Sequence, residues 1–562
     1  MVQFIDFIEQ LEDETEAALD IRPGGREVRM LACLVRNHLN GKMMTSSSLA
    51  AASGMSYGTA LRAIADCQAR GLIVRRPRTA TGKSFSLHPS PALLERWQEY
   101  ARRTRALLAA NFEPDDAMLA PSGYFFGASY NDGNVLPLQA ALDDKLHLSG
   151  DLRVLVHADP TFMAMHALKK HFQNIFGTGI QNRALSIDRL RNEILENGAL
   201  KVSRYDIVAC DLPWFGELAS NGALQPLDAL MRETGFDLSD FHPAAVASTR
   251  HRGAYYGVPV QTTPELLVYR TDLFSEAGLA EPATTESVID AARRLHAPVK
   301  GRYGIAWNAA RGTPLGHSFL MIMGAFGQPF INLRATGAGF DADDPQGEEM
   351  RPMFLSDAAR GTAEYLMELL DYSPPSILSM SWYERAVAYA NGIVGLAYCY
   401  TLLAPLFELD PRSPAHGKTD YLPHPVGPHG RPVAPVGGYA LAMPANLSPD
   451  RVMATWAAIR SLTSPSAAKL YISNGSVVSP RYSVSSDPDV RAVSPIIPAV
   501  DAMARKGCLQ TWPRPPVPEI SEVIAIVGEE MHAMLRCQKS IDDALVAAQN
   551  RSDALMRANG HY

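Results

Sequence analysis

Residues 258–295 read VPVQTTPELLVYRTDLFSEAGLAEPATTESVIDAARRL. Residues 265–269 read as a largely apolar strand, and Thr271-Asp272 opens a helical turn that Gly278 stops. Pro282-Ala283-Thr284-Thr285 then offers N-cap chemistry to a second amphipathic helix. None of these residues has the spacing of a catalytic group. The stretch is a strand followed by two helices, the grammar of an α/β protein.

The same alternation extends outward on both sides. Leu152-Arg153-Val154-Leu155-Val156 is a buried strand, and residues 161–175 follow it as an amphipathic helix. Residues 205–211 form another strand, and residues 213–219 begin the next helix. A mostly parallel sheet is expected from this order.

Within this frame, Leu267-Val268-Tyr269-Arg270-Thr271-Asp272-Leu273-Phe274 resembles the crossing strand of family 1 extracellular solute-binding proteins. These are the maltose-binding-protein-like receptors of ABC importers. Further motifs fall in the family's order: Asp206-Ile207-Val208, Trp214, Gly222-Ala223-Leu224-Gln225-Pro226-Leu227-Asp228 and the 389–396 segment YANGIVGL. Gly437-Gly438-Tyr439 stands where the family has Gly-Gly-Trp, and Leu462-Thr463-Ser464-Pro465, Pro480-Arg481 and the 541–545 segment IDDAL complete the set. The resemblance covers roughly residues 150 to 555. It implies a two-lobed α/β periplasmic-binding-protein-like (type 2) fold, with crossing strands joining lobes that close on a ligand.

Ligands of open α/β sheets sit outside the carboxyl ends of the strands. That rule nominates Asp159, Asp211 with Trp214, Gln261 with Thr263, Trp307 with Asn308, Tyr398 with Tyr400, Gly438 with Tyr439, and Arg481. Sugars need flat apolar faces for their C–H surfaces and charged or amide groups for their hydroxyls, and this set has both. For each aromatic taken singly, core packing is the competing role.

Length and composition bound the rest. A chain of 562 residues exceeds one core, and 47% apolar with 20% charged residues is an ordinary globular balance. Six scattered cysteines without a CxxC pair argue against a zinc site or a disulfide framework and fit a reducing compartment. Residues 1–20 carry seven acidic residues and no Lys or Arg, unlike a secretory signal, and no run is long enough to span a bilayer. A cytoplasmic location without membrane partners is expected.

The overall net charge of −7 hides an asymmetry. Residues 26–110 hold fourteen basic and four acidic residues, so that segment is +10 and everything else sums to −17. Within it, TSSSLAAASGMSYGTALRAIADCQARG (residues 45–71) has the caps and the Gly54 turn of a helix-turn-helix. Ala60, Leu61, Ile64 and Cys67 are expected to face inward, while Ser56, Tyr57, Thr59 and Arg62 face a DNA groove. Two strands then flank a hairpin bearing Arg75, Arg76, Arg78 and Lys83, which lie beside phosphates in this reading. Residues 26–88 thus resemble the winged helix-turn-helix domain of bacterial transcription regulators of the MarR or GntR kind. The helix expected over residues 91–112 either joins two copies or packs on the wing.

The expected organisation is multidomain. An N-terminal helix (1–25) precedes an α+β winged helix-turn-helix (26–88), a helical connector (89–150) and the two-lobed ligand-sensing domain (151–562). No Walker lysine, G-x-S-x-G, G-x-G-x-x-G or HExxH is present, so no catalytic residue, metal or cofactor is nominated. The function expected is a cytoplasmic, homodimeric regulator that binds double-stranded DNA in response to a small, sugar-like solute. The alternative is a transport-class solute-binding protein with an N-terminal protein-interaction module.

Overall fold

The computed structural model describes residues 2–19, 21, 26–39, 44–77, 85–111 and 145–562. The chain divides into two compact units, Met1–Ala120 and Pro121–Tyr562.

In the first unit, helices Val2–Leu19, Arg26–Leu39, Ser46–Ser53 and Tyr57–Ala69 precede strands β1 (Ile73–Pro77) and β2 (Phe85–Pro89), and helix Pro91–Asn111 follows. Thr45 and Ser48 form a reciprocal capping box on the third helix, which ends at Gly54 with φ +72°. Ser56 caps the fourth. Strands β1 and β2 pair antiparallel, with Arg75 opposite Leu87. Leu31, Leu34, Leu49, Ala60, Ile64 and Cys67 close a small core. Leu61, expected inward, is exposed: positions 60, 64 and 67 already fill the buried face, and 61 is turned off it. The hairpin tip (78–84) and most of the expected connector (112–144) lie outside the described residues.

In the second unit, nine strands form two sheets: β3 (Leu152–His157), β4 (Ile180–Leu185), β5 (Ile207–Asp211), β6 (Gly257–Pro259), β7 (Glu265–Arg270), β8 (Tyr303–Ala306), β9 (Val394–Tyr400), β10 (Thr419–Leu422) and β11 (Tyr439–Ala442). One sheet has the order β4-β3-β5-β11-β6 and the other β8-β9-β7-β10. Strands β5, β7 and β9 are buried along their whole length, so both of their faces are covered and their central residues read as apolar runs.

Neither sheet is purely parallel. In the first, β11 runs against β5 and β6; in the second, β7 runs against β9 and β10. Both reversed strands arrive from the other lobe. The parallel strands point their carboxyl ends at the cleft, so a chain that enters a lobe across the cleft must run the opposite way. The chain crosses at residues 260–264 and returns at 436–438. It crosses a third time at 511–519, which leads into helix Ile520–Leu535.

That last helix packs on helix Thr313–Ala325, whose residues 315–325 are all buried. The backbones approach so closely that a Cβ on Gly316 would fall 2.0 Å from the Ile524 oxygen, and one on Gly528 would fall 1.8 Å from the Gly312 oxygen. Only glycine fits at either place. The helix expected over 161–175 is two, Pro160–Ala167 and Lys169–Phe176, meeting at Leu168. Among the described residues, no helix is long and apolar enough to cross a membrane.

Candidate ligand-binding site

Strands β3 and β5 end at His157 and Asp211, and the three crossings pass in front of them. Together with β9 and helix Trp382–Ala390 of the other lobe they enclose a cavity of about 280 Å³. This is at the small end of the range of small-molecule sites. An adjoining chamber of about 350 Å³ shares Ile187, His317 and Trp382 with it and is lined by Trp214.

Asp159 follows β3 and caps helix Pro160–Ala167, accepting from the backbone N–H groups of Thr161 (2.9 Å) and Phe162 (3.1 Å). The Gln261 amide nitrogen lies 2.9 and 3.0 Å from its two oxygens, and His157 Nδ1 lies 3.3 Å from Oδ2. The Asp159 carboxylate is thereby fully engaged. Its neighbour His157 stacks on Tyr439, ring centroids 5.0 Å apart and planes 16° apart. Tyr439 pairs with Asp211 in the β11–β5 register, so both side chains reach the same end of the sheet. Burial pushes the Asp211 carboxyl up to about 6, against the opposing pull of Arg514 and His157.

Arg514, from the third crossing, donates Nη2 to the Val436 carbonyl at 2.7 Å and has Nη1 2.8 Å from His317 Nδ1. A guanidinium only donates, so His317 Nδ1 accepts and the ring carries its proton on Nε2. Burial and the neighbouring Arg514 hold His317 neutral, well below its ordinary range. Arg514 Nε and the Thr263 hydroxyl, both on cavity-lining side chains, have no hydrogen-bond partner among the described residues. The opposite wall is aromatic: Trp382 lies 5.7 Å from Tyr400, and His317 meets the Trp382 ring edge-on at 5.1 Å.

Six nominated residues line the cavity: Asp159, Asp211, Thr263, Tyr400, Gly438 and Tyr439. Gln261 stands one contact behind it, on Asp159, and Trp214 lines the adjoining chamber. Four others are placed elsewhere. Trp307 donates Nε1 to Ser373 Oγ at 3.0 Å inside its lobe, and Asn308 beside it is wholly buried. Tyr398 shares a face of β9 with Tyr400 but lies two residues, roughly 7 Å, deeper, where its hydroxyl meets that of Tyr365. Arg481 lies 3.7 Å from the Phe241 ring centroid and pairs with Asp240, so its charge is engaged within the fold.

Sequence reasoning missed His157, His317, Trp382 and Arg514. The strand-end rule that found Asp159 reaches His157 equally well. Arg514 sits in the non-periodic segment TWPRPPVP and carried no signal.

In the first unit, the residues nominated for DNA make local bonds. The Ser56 and Thr59 hydroxyls meet at 2.8 Å, Arg62 Nε donates to the Gly58 carbonyl, and Arg75 lies over the Phe85 ring while bonding Gln68. Tyr57 is 59% exposed. Arg78 and Lys83, and the side chain of Arg76, lie outside the described residues.

Residues 192–469 match the family described as bacterial extracellular solute-binding protein. A "probable amino-acid ABC transporter periplasmic-binding protein" of Sinorhizobium fredii is 23% identical over 78% of this chain and 96% of its own length. The mannitol-binding protein of Pseudomonas aeruginosa is 22% identical over 66% of this chain and 85% of its own. Among solved structures, an ABC transporter solute-binding protein of Agrobacterium radiobacter in complex with ribitol superposes with a TM-score of 0.65. It is 24% identical and covers 73% of this chain and 100% of its own. Residues 192–469 thus match a solute-binding family, and the second unit has the two-lobed α/β fold of maltose-binding-protein-like solute-binding proteins.

These findings overturn the expectation of a cytoplasmic, DNA-binding transcription regulator. The matching family is described as extracellular, and one relative is named as a probable ABC transporter periplasmic-binding protein, which points away from the cytoplasm. The expected DNA partner falls with that reading. The expected homodimer was argued from two-fold DNA sites and loses its argument.

Proposed function

From a solute-binding domain with this cavity between its sheets, we propose that the chain is the solute receptor of an ABC importer and takes a polyhydroxylated solute, a sugar or a polyol. One observation carries the reading: Asp211, Arg514 and Thr263 come from β5 and two separate crossings, yet all line one cavity walled by Tyr439, Tyr400 and Trp382. Hydroxyls donate to the carboxylate and accept from the guanidinium, while C–H faces lie on the rings. A relative named as a mannitol-binding protein and a similar solute-binding protein solved in complex with ribitol support the solute class. A closed pair of lobes is stabilised by whatever ligand binds it better than the open pair.

The site residues proposed are Asp159, Asp211, Thr263, Tyr400, Gly438 and Tyr439, joined by His157, His317, Trp382 and Arg514. The first unit serves in this reading as a protein-interaction module, a role supported by the exposed Tyr57 and Leu61. Calorimetric titration of the full chain with hexitols, pentitols, hexoses, maltose and amino acids tests the proposal. Saturable binding of a sugar or polyol is expected, abolished by Asp211→Ala. Binding of amino acids alone overturns the solute class.

A further inference from the structure

Behind the aromatic wall lies a buried ionic cluster that the cavity itself does not use. Arg385 and Glu265 are both 0% exposed and ion-paired, and His424 Nε2, equally buried, lies 3.5 Å from the other Glu265 oxygen. Glu265 opens β7 directly after the first crossing and pairs with Tyr400 in the β9–β7 register. Arg385 stands three residues after Trp382 on helix Trp382–Ala390, which places the two on one helix face. The guanidinium carbon lies 5.8 Å from the Trp382 ring centroid and 5.5 Å from that of Tyr400.

Arg385 Nε and Nη1 have no hydrogen-bond partner among the described residues. A buried guanidinium with the N–H groups of two nitrogens unmatched is destabilising unless something else receives them. The two rings are the groups within cation–π reach. Burial alone would raise the Glu265 carboxyl, but Arg385 and His424 hold it down at about 2, so the pair stays ionic. Buried pairs of this kind are weak sources of stability and can commonly be replaced by apolar residues of similar volume without loss. Their geometry is what the replacement removes.

We infer that Arg385 is a positioning residue for ligand recognition: anchored by Glu265, its guanidinium sets the Trp382 and Tyr400 rings at the orientation that walls the cavity. The inference rests on the proposed reading of that cavity. Trp382 is held on its other contacts by His317 and by the Ser381–Glu384 capping box at the helix start. Among the described residues Arg385 is the cation within reach of both rings, while Arg514 lies 5.8 Å from the Tyr400 ring centroid alone.

The test is the double variant Glu265→Leu/Arg385→Met in the full chain, with Arg385→Lys as a second variant that keeps the charge but not the planar fork. Two readouts are taken beside thermal unfolding. The first is affinity for the solute that the parent binds. The second needs no ligand: the emission of Trp382, obtained by subtracting the spectrum of each protein carrying Trp382→Phe. The expected result is an unfolding midpoint close to the parent's, affinity lowered about tenfold or more, and a Trp382 emission shifted to the red and more easily quenched. Arg385→Lys shifts both readouts in the same direction by less. Unchanged affinity and emission in a folded variant overturn the inference and leave the pair a structural one. If the parent binds none of the panel, the cavity reading fails, and the Trp382 emission still decides whether Arg385 orients the ring. Should the double variant not fold, Arg385→Lys is judged on the same two readouts.

Discussion

The amide nitrogen of Gln261, in the first crossing, lies 2.9 and 3.0 Å from the two carboxylate oxygens of Asp159, which caps the helix after the first strand of its sheet. Both side chains are buried. One contact thus ties the segment between the lobes to the wall of the cavity. Gln261→Leu removes the donor and leaves the buried carboxylate two backbone N–H groups and His157. A loss of about 1–3 kcal/mol in urea unfolding is expected, with weaker solute binding. Gln261→Glu sets carboxylate against carboxylate and is expected to lower stability further; equal stability of all three proteins counts against the contact.

Asp211 makes stability and binding depend on pH in opposite senses. Its folded pKa of about 6 lies above the unfolded value of about 3.9, so the folded chain binds this proton more tightly. That contribution is fully present below about pH 4 and is lost as pH rises through about 6. Relative to Asp211→Asn, the parent is expected to lose on the order of 3 kcal/mol of unfolding free energy between those limits and neutrality. Denaturant unfolding of both proteins across that range measures it, and parallel curves refute it. A solute hydroxyl donating to Asp211 favours the ionised carboxylate, so affinity is expected to rise through the same window.

Gly438 has φ +118°, and a Cβ there would sit 3.0 Å from the Gln261 carbonyl oxygen. Side-chain-bearing residues rarely adopt that backbone, and the second crossing is held in it by Leu212 N–H donating to the Gly438 carbonyl at 3.0 Å. Gly438→Ala is expected to lower stability by roughly 1–3 kcal/mol. Ligand-induced protection from proteolysis should weaken with it. A melting temperature equal to the parent's would show that the strand relaxes freely.

Asp206 anchors the first lobe. Arg451 reaches its oxygens at 2.6 and 2.7 Å, and Arg153 at 2.6 and 3.1 Å with a further backbone N–H at 2.8 Å. Burial pushes this carboxyl up, but the two arginines outweigh it and hold it below the usual range. Its stabilising contribution is therefore present above about pH 4 and is lost as pH falls. Asp206→Ala leaves two guanidinium groups uncompensated and is expected to cost about 3–5 kcal/mol. An acid titration should show the parent, and not the variant, losing this increment.

The strand and helix periods around residues 258–295 carried the α/β alternation, the resemblance of its motifs implied the two lobes and the crossing strand, and the strand-end rule nominated six of the residues that line the cavity. Strand ends and apolar runs are local properties, written in consecutive side chains. The sequence alone could not place Trp307, Tyr398 and Arg481, because depth within a lobe depends on what packs above a strand end. Nor could local charge assign a role to the basic N-terminal segment, since Arg75 lies on Phe85 and Arg62 on its own helix. What only the tertiary structure decided is the meeting of Asp211, at the end of β5, with Thr263, Gly438 and Arg514, which three separate crossings carry to the same point. The physical reason is direction: a chain entering a lobe across the cleft must begin its strand there, and that returns distant segments to the same mouth.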